Sequence, residues 1–180
     1  IKFDGITVTG TENIMMAAAL AEGKTTLTNV AKEPEIIDLA NMLNSMGAKI
    51  DGAGSDRITI EGVDNLTGTN FEIPADRIEA GTYLAAAAVT KGDITIEGIN
   101  PNRLMKVIDK LKDAGADIEY QNNAISICMN KDVPNPVDIT TAPFPEFPTD
   151  MQAQFSVINA ISNGTATVSY THLTLPTKDS

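Results

Sequence analysis

One phrase is written twice in this chain, and it constrains everything else the chain can fold into. Leu43-Asn-Ser-Met-Gly-Ala-Lys-Ile50 returns as Leu111-Lys-Asp-Ala-Gly-Ala-Asp-Ile118, with Gly47 and Gly115 standing 68 residues apart. Gly23 and Gly92 keep the same rhythm at 69, and Gly164 closes a further interval of 72. In each copy an Ala-rich helical stretch meets a glycine, followed by a short strand, a second helix, the repeated glycine and a strand pair. This period exceeds the roughly 20–50 residues of most solenoid repeats. It describes a small α/β subdomain of two helices and several strands. Each helix carries one apolar face, so a copy must pack on its siblings to bury it. Such phrases also recur by chance in α/β proteins, but the matched Leu-x-x-x-Gly-Ala-x-Ile segments at matched offsets favour a true repeat.

The pattern predicts helices over Asn13–Glu22, Pro34–Met46, Ala80–Thr90 and from a cap at Asn102 to Ala114, with a further helix opening after Thr149. Gly23, Gly47 and Gly92 are read as helix terminators. Ile36, Ile37, Ala40, Leu43 and Met46 line one helical stripe, and Met15, Met16, Met42 and Met46 read as core. Strands are expected over Lys24–Val30, Ala48–Asp51, Arg57–Glu61, Asp93–Glu97 and Ala124–Met129. Between the copies, Asn65–Ala75 is polar, contains Gly and is interrupted by Pro, which suits a crossing with a boundary near Pro74.

Charge narrows the function. With 24 acidic and 13 scattered basic residues the chain carries a formal −11, the wrong sign for a phosphate backbone or an anionic membrane. A lone cysteine, Cys128, excludes an internal disulfide framework and fits a reducing compartment. No apolar run approaches the roughly 20 residues of a membrane span, and no signal peptide opens the chain. The expectation is a soluble, cytoplasmic protein. Lacking an initiator Met, it reads as the interior of a longer one.

Ala142–Gln154 carries the most chemical information. Three prolines in six residues are expected to hold the backbone extended up to Pro148, where Thr149-Asp150-Met151-Gln152 opens a helix. Thr149-x-x-Gln152 fits a capping box, and Asp150 in the first turn complements the helix dipole. Alternatively, Asp150 is held in a cleft and accepts a proton from a substrate hydroxyl. Glu33, Glu35, Asp76 and Glu79 also stand at helix starts, where dipole complementarity alone accounts for them. Thr7-Val8-Thr9-Gly10-Thr11 reads as a Thr/Gly loop whose amides could meet a phosphate or sugar oxygen, but it matches no phosphate-loop fingerprint. Cys128 alternates to the strand face opposite Ile125, Ile127 and Met129 and reads as a packed thiol. His172 has no partner Cys or second His for a metal site.

Taken in order, Thr9–Glu22, Lys32–Ile37 (KEPEII), Asp76–Thr82 (DRIEAGT), Asp113–Ile118 and Phe147–Phe155 (FPTDMQAQF) resemble the UDP-N-acetylglucosamine 1-carboxyvinyltransferases, from Ile1 to about Ser169. The resemblance implies an α/β (α+β) fold of two inside-out barrels, each of three similar units, here incomplete. Residues 1–74 would be the last unit of one domain and 75–169 the first units of the other. It implies transfer of enolpyruvyl from phosphoenolpyruvate to the 3-hydroxyl of UDP-N-acetylglucosamine in peptidoglycan precursor synthesis, with no cofactor and no metal.

By the same resemblance, Asp150 matches the aspartate that binds the nucleotide sugar and deprotonates its hydroxyl. Gly5, Ile6, Thr7 and Val8 match a stretch lining the uridine site, with Gly5 replacing a basic residue often found there. Glu33, Glu35 and Asp76 match acidic positions facing the cleft. The family's Lys-Asn pair, its loop arginine and its proton-donating cysteine or aspartate would all lie before residue 1, and Cys128 does not match that position. The chain alone is therefore expected to be inactive and poorly soluble, with the remainder of its own chain as partner. Residues 170–180 depart from the family, resemble translated adapter sequence, and leave His172 without a role. Two other readings stay open: enolpyruvyl transfer to shikimate 3-phosphate, and a noncatalytic repeat scaffold.

Overall fold

Helix, strand, helix, strand, strand is the order in which each copy of the repeat folds. A computed structural model describes residues 1–170, so His172 and nearly all of the 170–180 tail lie outside the described residues. The described chain divides into two units: Ile1–Pro74 with Pro143–Pro145, and Ala75–Ala142 with the residues from Glu146 onward.

In the first unit, α1 (Val8–Ala18) leads to β1 (Lys24–Thr28), α2 (Pro34–Ser45), β2 (Lys49–Asp51) and β3 (Arg57–Glu61). The last strand lies in the middle: β1-β3-β2, antiparallel throughout. Thr25 faces Ile60, Leu27 faces Ile58 and Ile50 faces Ile60 across the ladders, which puts Leu27, Ile50, Ile58 and Ile60 on the buried side. Met15, Ile36 and Leu43 close the core from the helices.

The second unit repeats this plan. α3 (Arg77–Thr90), β4 (Asp93–Glu97), α4 (Met105–Asp113), β5 (Asp117–Gln121) and β6 (Ala124–Cys128) build a sheet in the order β4-β6-β5. Ile94 pairs with Ile127 and Ile96 with Ile125, matching the ladder of the first sheet. A third copy has begun. α5 (Gln152–Ala160) packs on α3, and β8 (Val168–Ser169) pairs in parallel with β7 (Ile139–Thr140). Both three-stranded sheets are open.

The repeated phrase is a helix stop. The Ala48 N–H donates to Leu43 O at 3.0 Å and the Gly47 N–H to Asn44 O at 3.0 Å. In the second copy the Ala116 N–H donates to Leu111 O at 3.1 Å and the Gly115 N–H to Lys112 O at 2.9 Å. Gly47 and Gly115 take φ of +104° and +99°, a region L side chains rarely adopt, so the glycine is dictated by the turn. The following Ala-x-Ile then buries Ile50 in the first core and packs Ile118, partly buried, against the second.

Several helix boundaries differ from the sequence expectation. α1 begins at Val8, five residues early, because Thr7 caps it: its Oγ1 accepts from the Gly10 N–H at 3.2 Å. The Thr11 hydroxyl donates back to Thr7 O at 2.7 Å and accepts from the Ala31 N–H at 3.1 Å, so tertiary bonding overrides a poor helical composition. α3 begins at Arg77 under an Asp76 cap and ends on Lys91 in the left-handed region at φ 56°, not on Gly92. Asn100, not Asn102, caps the 3-10 turn Pro101–Arg103 ahead of α4. Met16 is exposed and Ile37 partly so, whereas Met15, Ile36, Ala40 and Leu43 are core as expected. Cys128 lies on the face away from Ile125 and Ile127, its Sγ donating to Asn130 Oδ1 at 3.4 Å. No helix among the described residues is long and apolar enough to cross a membrane.

Candidate active site

Asp150 sits between three buried anchors. Phe147, Met151 and Phe155 are all buried, and the rings of Phe147 and Phe155 meet edge to face with centroids 5.0 Å apart. Such a pair contributes roughly 0.5–1.5 kcal/mol beyond its buried area. Met151 lies over Gly81 of α3, where an added Cβ would fall 3.0 Å from its Sδ. One turn on, the Gln154 Nε2 donates to the Thr82 Oγ1 at 2.9 Å, and that hydroxyl donates to Ile78 O at 2.8 Å. The 3-10 turn Thr149–Met151 is thereby held against α3, with the Asp150 side chain in solvent.

The proline segment is looped, not extended. Pro143 to Glu146 turn, and the Ala142 N–H closes the loop on Phe147 O at 3.0 Å, with Thr141 and Phe147 forming a bridge. Proline's fixed φ suits turn positions as well as extended ones. Pro148, just before the turn, is extended, at φ −69° and ψ 141°. The capping box does not form. The turn starts at Thr149 with no side-chain cap, and Gln152 instead donates to the Ser156 Oγ at 3.0 Å. Asp76 does cap: its Oδ1 accepts from the Ile78 N–H at 2.7 Å and the Glu79 N–H at 3.2 Å. Asp76, at the start of α3, is thus occupied by backbone amides, while Asp150, on the turn packed against that helix, makes no cap bond.

The first unit holds the other candidates. Gly5 and Ile6 are exposed, Thr7 is the α1 cap and Val8 its first residue. Glu33 and Glu35 flank Pro34 at the start of α2. Glu33 is buried; its Oε1 accepts from the Phe144 N–H at 3.4 Å, and its Oε2 has no hydrogen-bond partner. Neighbouring Lys32 turns away to pair with Asp56. Glu12, on the second turn of α1, was not singled out from the sequence. Partial burial, then the carboxylates of Glu35 and Glu33, raise its pKa above the ordinary 4.5, so three acids from two helix starts converge here. The Thr11–Ala31 bond that draws these starts together is a tertiary contact without a sequence signature. Among the described residues no group of three or more His, Cys, Asp or Glu is arranged to hold a metal ion.

Comparison with known proteins agrees with this architecture. Residues 1–173 match the family described as EPSP synthase (3-phosphoshikimate 1-carboxyvinyltransferase). The chain is 53% identical over 171 residues to a UDP-N-acetylglucosamine 1-carboxyvinyltransferase of Hydrogenovibrio crunogenus, an alignment covering 95% of this chain and 41% of the relative. It thus spans about two-fifths of the length of that curated relative. The enolpyruvyl transferase NikO from Streptomyces tendae matches with a TM-score of 0.74 at 20% identity, over 89% of this chain and 39% of that one. The EPSP synthase from Acinetobacter baumannii matches at 0.64 and 24%, over 93% and 40%. Those two likenesses speak for the fold alone. With that family matched over residues 1–173 of this chain and a curated relative at 53% identity, the chain belongs to the EPSP synthase family of enolpyruvyl transferases.

Proposed function

We propose that this chain is part of an enzyme that moves the enolpyruvyl group of phosphoenolpyruvate onto the 3-hydroxyl of UDP-N-acetylglucosamine and releases phosphate. The single observation that carries this reading is the 53% identity to a relative bearing that name. Residues 1–74 are the last unit of one domain and 75–169 the opening units of the second. The work takes place in the cytoplasm, on a peptidoglycan precursor, in the service of cell-wall growth and division.

In this reading Asp150 is the base. As the sugar O3 bonds to C2 of phosphoenolpyruvate, its proton passes to the Asp150 carboxylate, while C3 receives a proton from a donor outside these residues. Loss of phosphate from C2 and of a proton from C3 then restores the double bond on the sugar ether. An exposed carboxylate on a braced turn, making no cap bond, is suited to accept that proton. Gly5, Ile6, Thr7 and Val8 contribute to the uridine site, and Glu33, Glu35 and Asp76 are cleft residues. The missing cations that two anionic substrates require belong to the rest of the protein.

A second acceptor, shikimate 3-phosphate, has the family description on its side. Phosphate release from phosphoenolpyruvate by the full-length protein decides between them. Release is expected with UDP-N-acetylglucosamine and not with shikimate 3-phosphate. The converse would transfer the assignment to the second acceptor, and release with neither would leave a repeat scaffold.

A further inference from the structure

The two copies of the repeat overlay on one offset. Thr7 and Asp76 cap α1 and α3, and Lys24 and Asp93 open β1 and β4, each pair 69 residues apart. On that offset Glu12 of α1 takes the place of Gly81 of α3. The repeat therefore accepts a side chain at this position in one copy and carries none in the other. Gly81 is the fifth residue of α3 and its only glycine. It is not left-handed, so the backbone does not demand a glycine there. A glycine inside a helix weakens it relative to alanine, and this helix runs on into Ala85–Ala88. Something outside the helix must require it.

Met151 supplies the requirement. A Cβ on Gly81 would fall 3.0 Å from the Met151 Sδ and 3.1 Å from its Cε, inside the 3.4 Å at which ordinary contact begins. Val107 Cγ1 closes the same space at 3.5 Å. Met151 is 0% exposed, so its thioether has no solvent to swing into. A methyl on Gly81 would lift it off α3 by about 0.4 Å, and a close-packed interior transmits such a shift. The shift reaches Asp150 through the backbone. The Met151 N–H donates to Pro148 O at 3.2 Å and the Gln152 N–H to Thr149 O. Both bonds span Asp150, so the turn moves as one piece.

We propose that Gly81 is a positioning residue for the transfer. By carrying no side chain it seats Met151 on α3, and so sets where the neighbouring Asp150 carboxylate meets the sugar hydroxyl. The inference rests on the reading of Asp150 as the base. A base must stand within hydrogen-bond reach of its proton, and a misplacement of about 1 Å can cost about 100-fold in rate. On that scale a shift of about 0.4 Å costs about six-fold.

The test reads phosphate release by the full-length protein. Gly81→Ala should lower kcat about three-fold or more, with the KM for UDP-N-acetylglucosamine within about two-fold of the parent. Met151→Val removes both atoms that the new methyl would meet, so adding Gly81→Ala to that variant should cost less than about two-fold. A merely structural glycine predicts no such rescue of kcat. A smaller loss in Gly81→Ala overturns the proposal, as does an equal loss in the two backgrounds. A loss carried by KM alone, or a Gly81→Ala chain without a cooperative melt, overturns it too. Asp150→Asn separates the two claims. If it slows release about 100-fold while Gly81→Ala does not, the positioning role alone falls. If it leaves release unchanged, the base falls and the positioning role with it.

Discussion

The first and second copies of the repeat agree at the ends of their second helices and in their sheets, and disagree at the starts of their first helices. Both stop a helix on a left-handed glycine with the same pair of carbonyl contacts, and both place the last strand between the other two. At the starts, Thr7 stands against Asp76 and Glu12 against Gly81. Helix ends and sheets answer to backbone geometry, which a repeat must conserve to stay foldable. Helix starts present unpaired amides and positive dipole ends, where side chains can vary, and there the candidate chemistry collects.

Substitutions can sharpen that contrast. The largest effect should come from the shared feature: Gly47→Ala and Gly115→Ala should each cost about 1–2 kcal/mol in urea melts, because each forces a Cβ into the left-handed region. A Cβ at Gly115 also displaces the Lys131 side chain, whereas one at Gly47 meets nothing, so a larger loss at Gly47 than at Gly115 would break the equivalence of the copies. Asp76→Ala should cost about 1 kcal/mol and Thr7→Ala no more than that, since Asp76 caps two amides and Thr7 one. Lys91→Gly should raise stability by roughly 0.5–1 kcal/mol, because glycine relieves the left-handed C-cap that lysine holds at φ 56°.

The smallest effect is confined to the first copy. Burial and the neighbouring Glu35 and Glu33 raise the folded pKa of Glu12, so its favourable contribution is full below the unfolded value of 4.5 and fades as pH rises through the folded one. Glu12→Gln should therefore gain Tm relative to the parent as pH goes from 4 to 7. A difference that stays flat with pH would remove Glu12 from the cluster.

Much of the scaffold was legible because it is local. Leu43–Ile50 and Leu111–Ile118 carry their own helix stop and strand start, and alternation alone placed Asp93–Glu97 to the residue. Helix starts were less legible. Val8–Gly10 is poor helical sequence, made helical by the Thr7 cap and the Thr11 bond to Ala31, a contact 20 residues away. Glu12 was invisible for the same reason, since its neighbours Glu33 and Glu35 reach it only in three dimensions. At Asp150 the residue pattern alone suggested capping. The absence of that cap emerges only from the turn that Phe147, Met151 and Phe155 impose.

The claim on which the chemistry depends is that Asp150, unlike Asp76, is not needed by the backbone. Asp150→Asn in the full-length protein, melted and assayed on one preparation, tests it most directly. The account predicts a Tm within 1 °C or so of the parent, as for a surface site without structural bonds, and phosphate release slowed about 100-fold or more, the scale of losing a general base. A Tm lowered as far as by Asp76→Ala, with release unchanged, would contradict it.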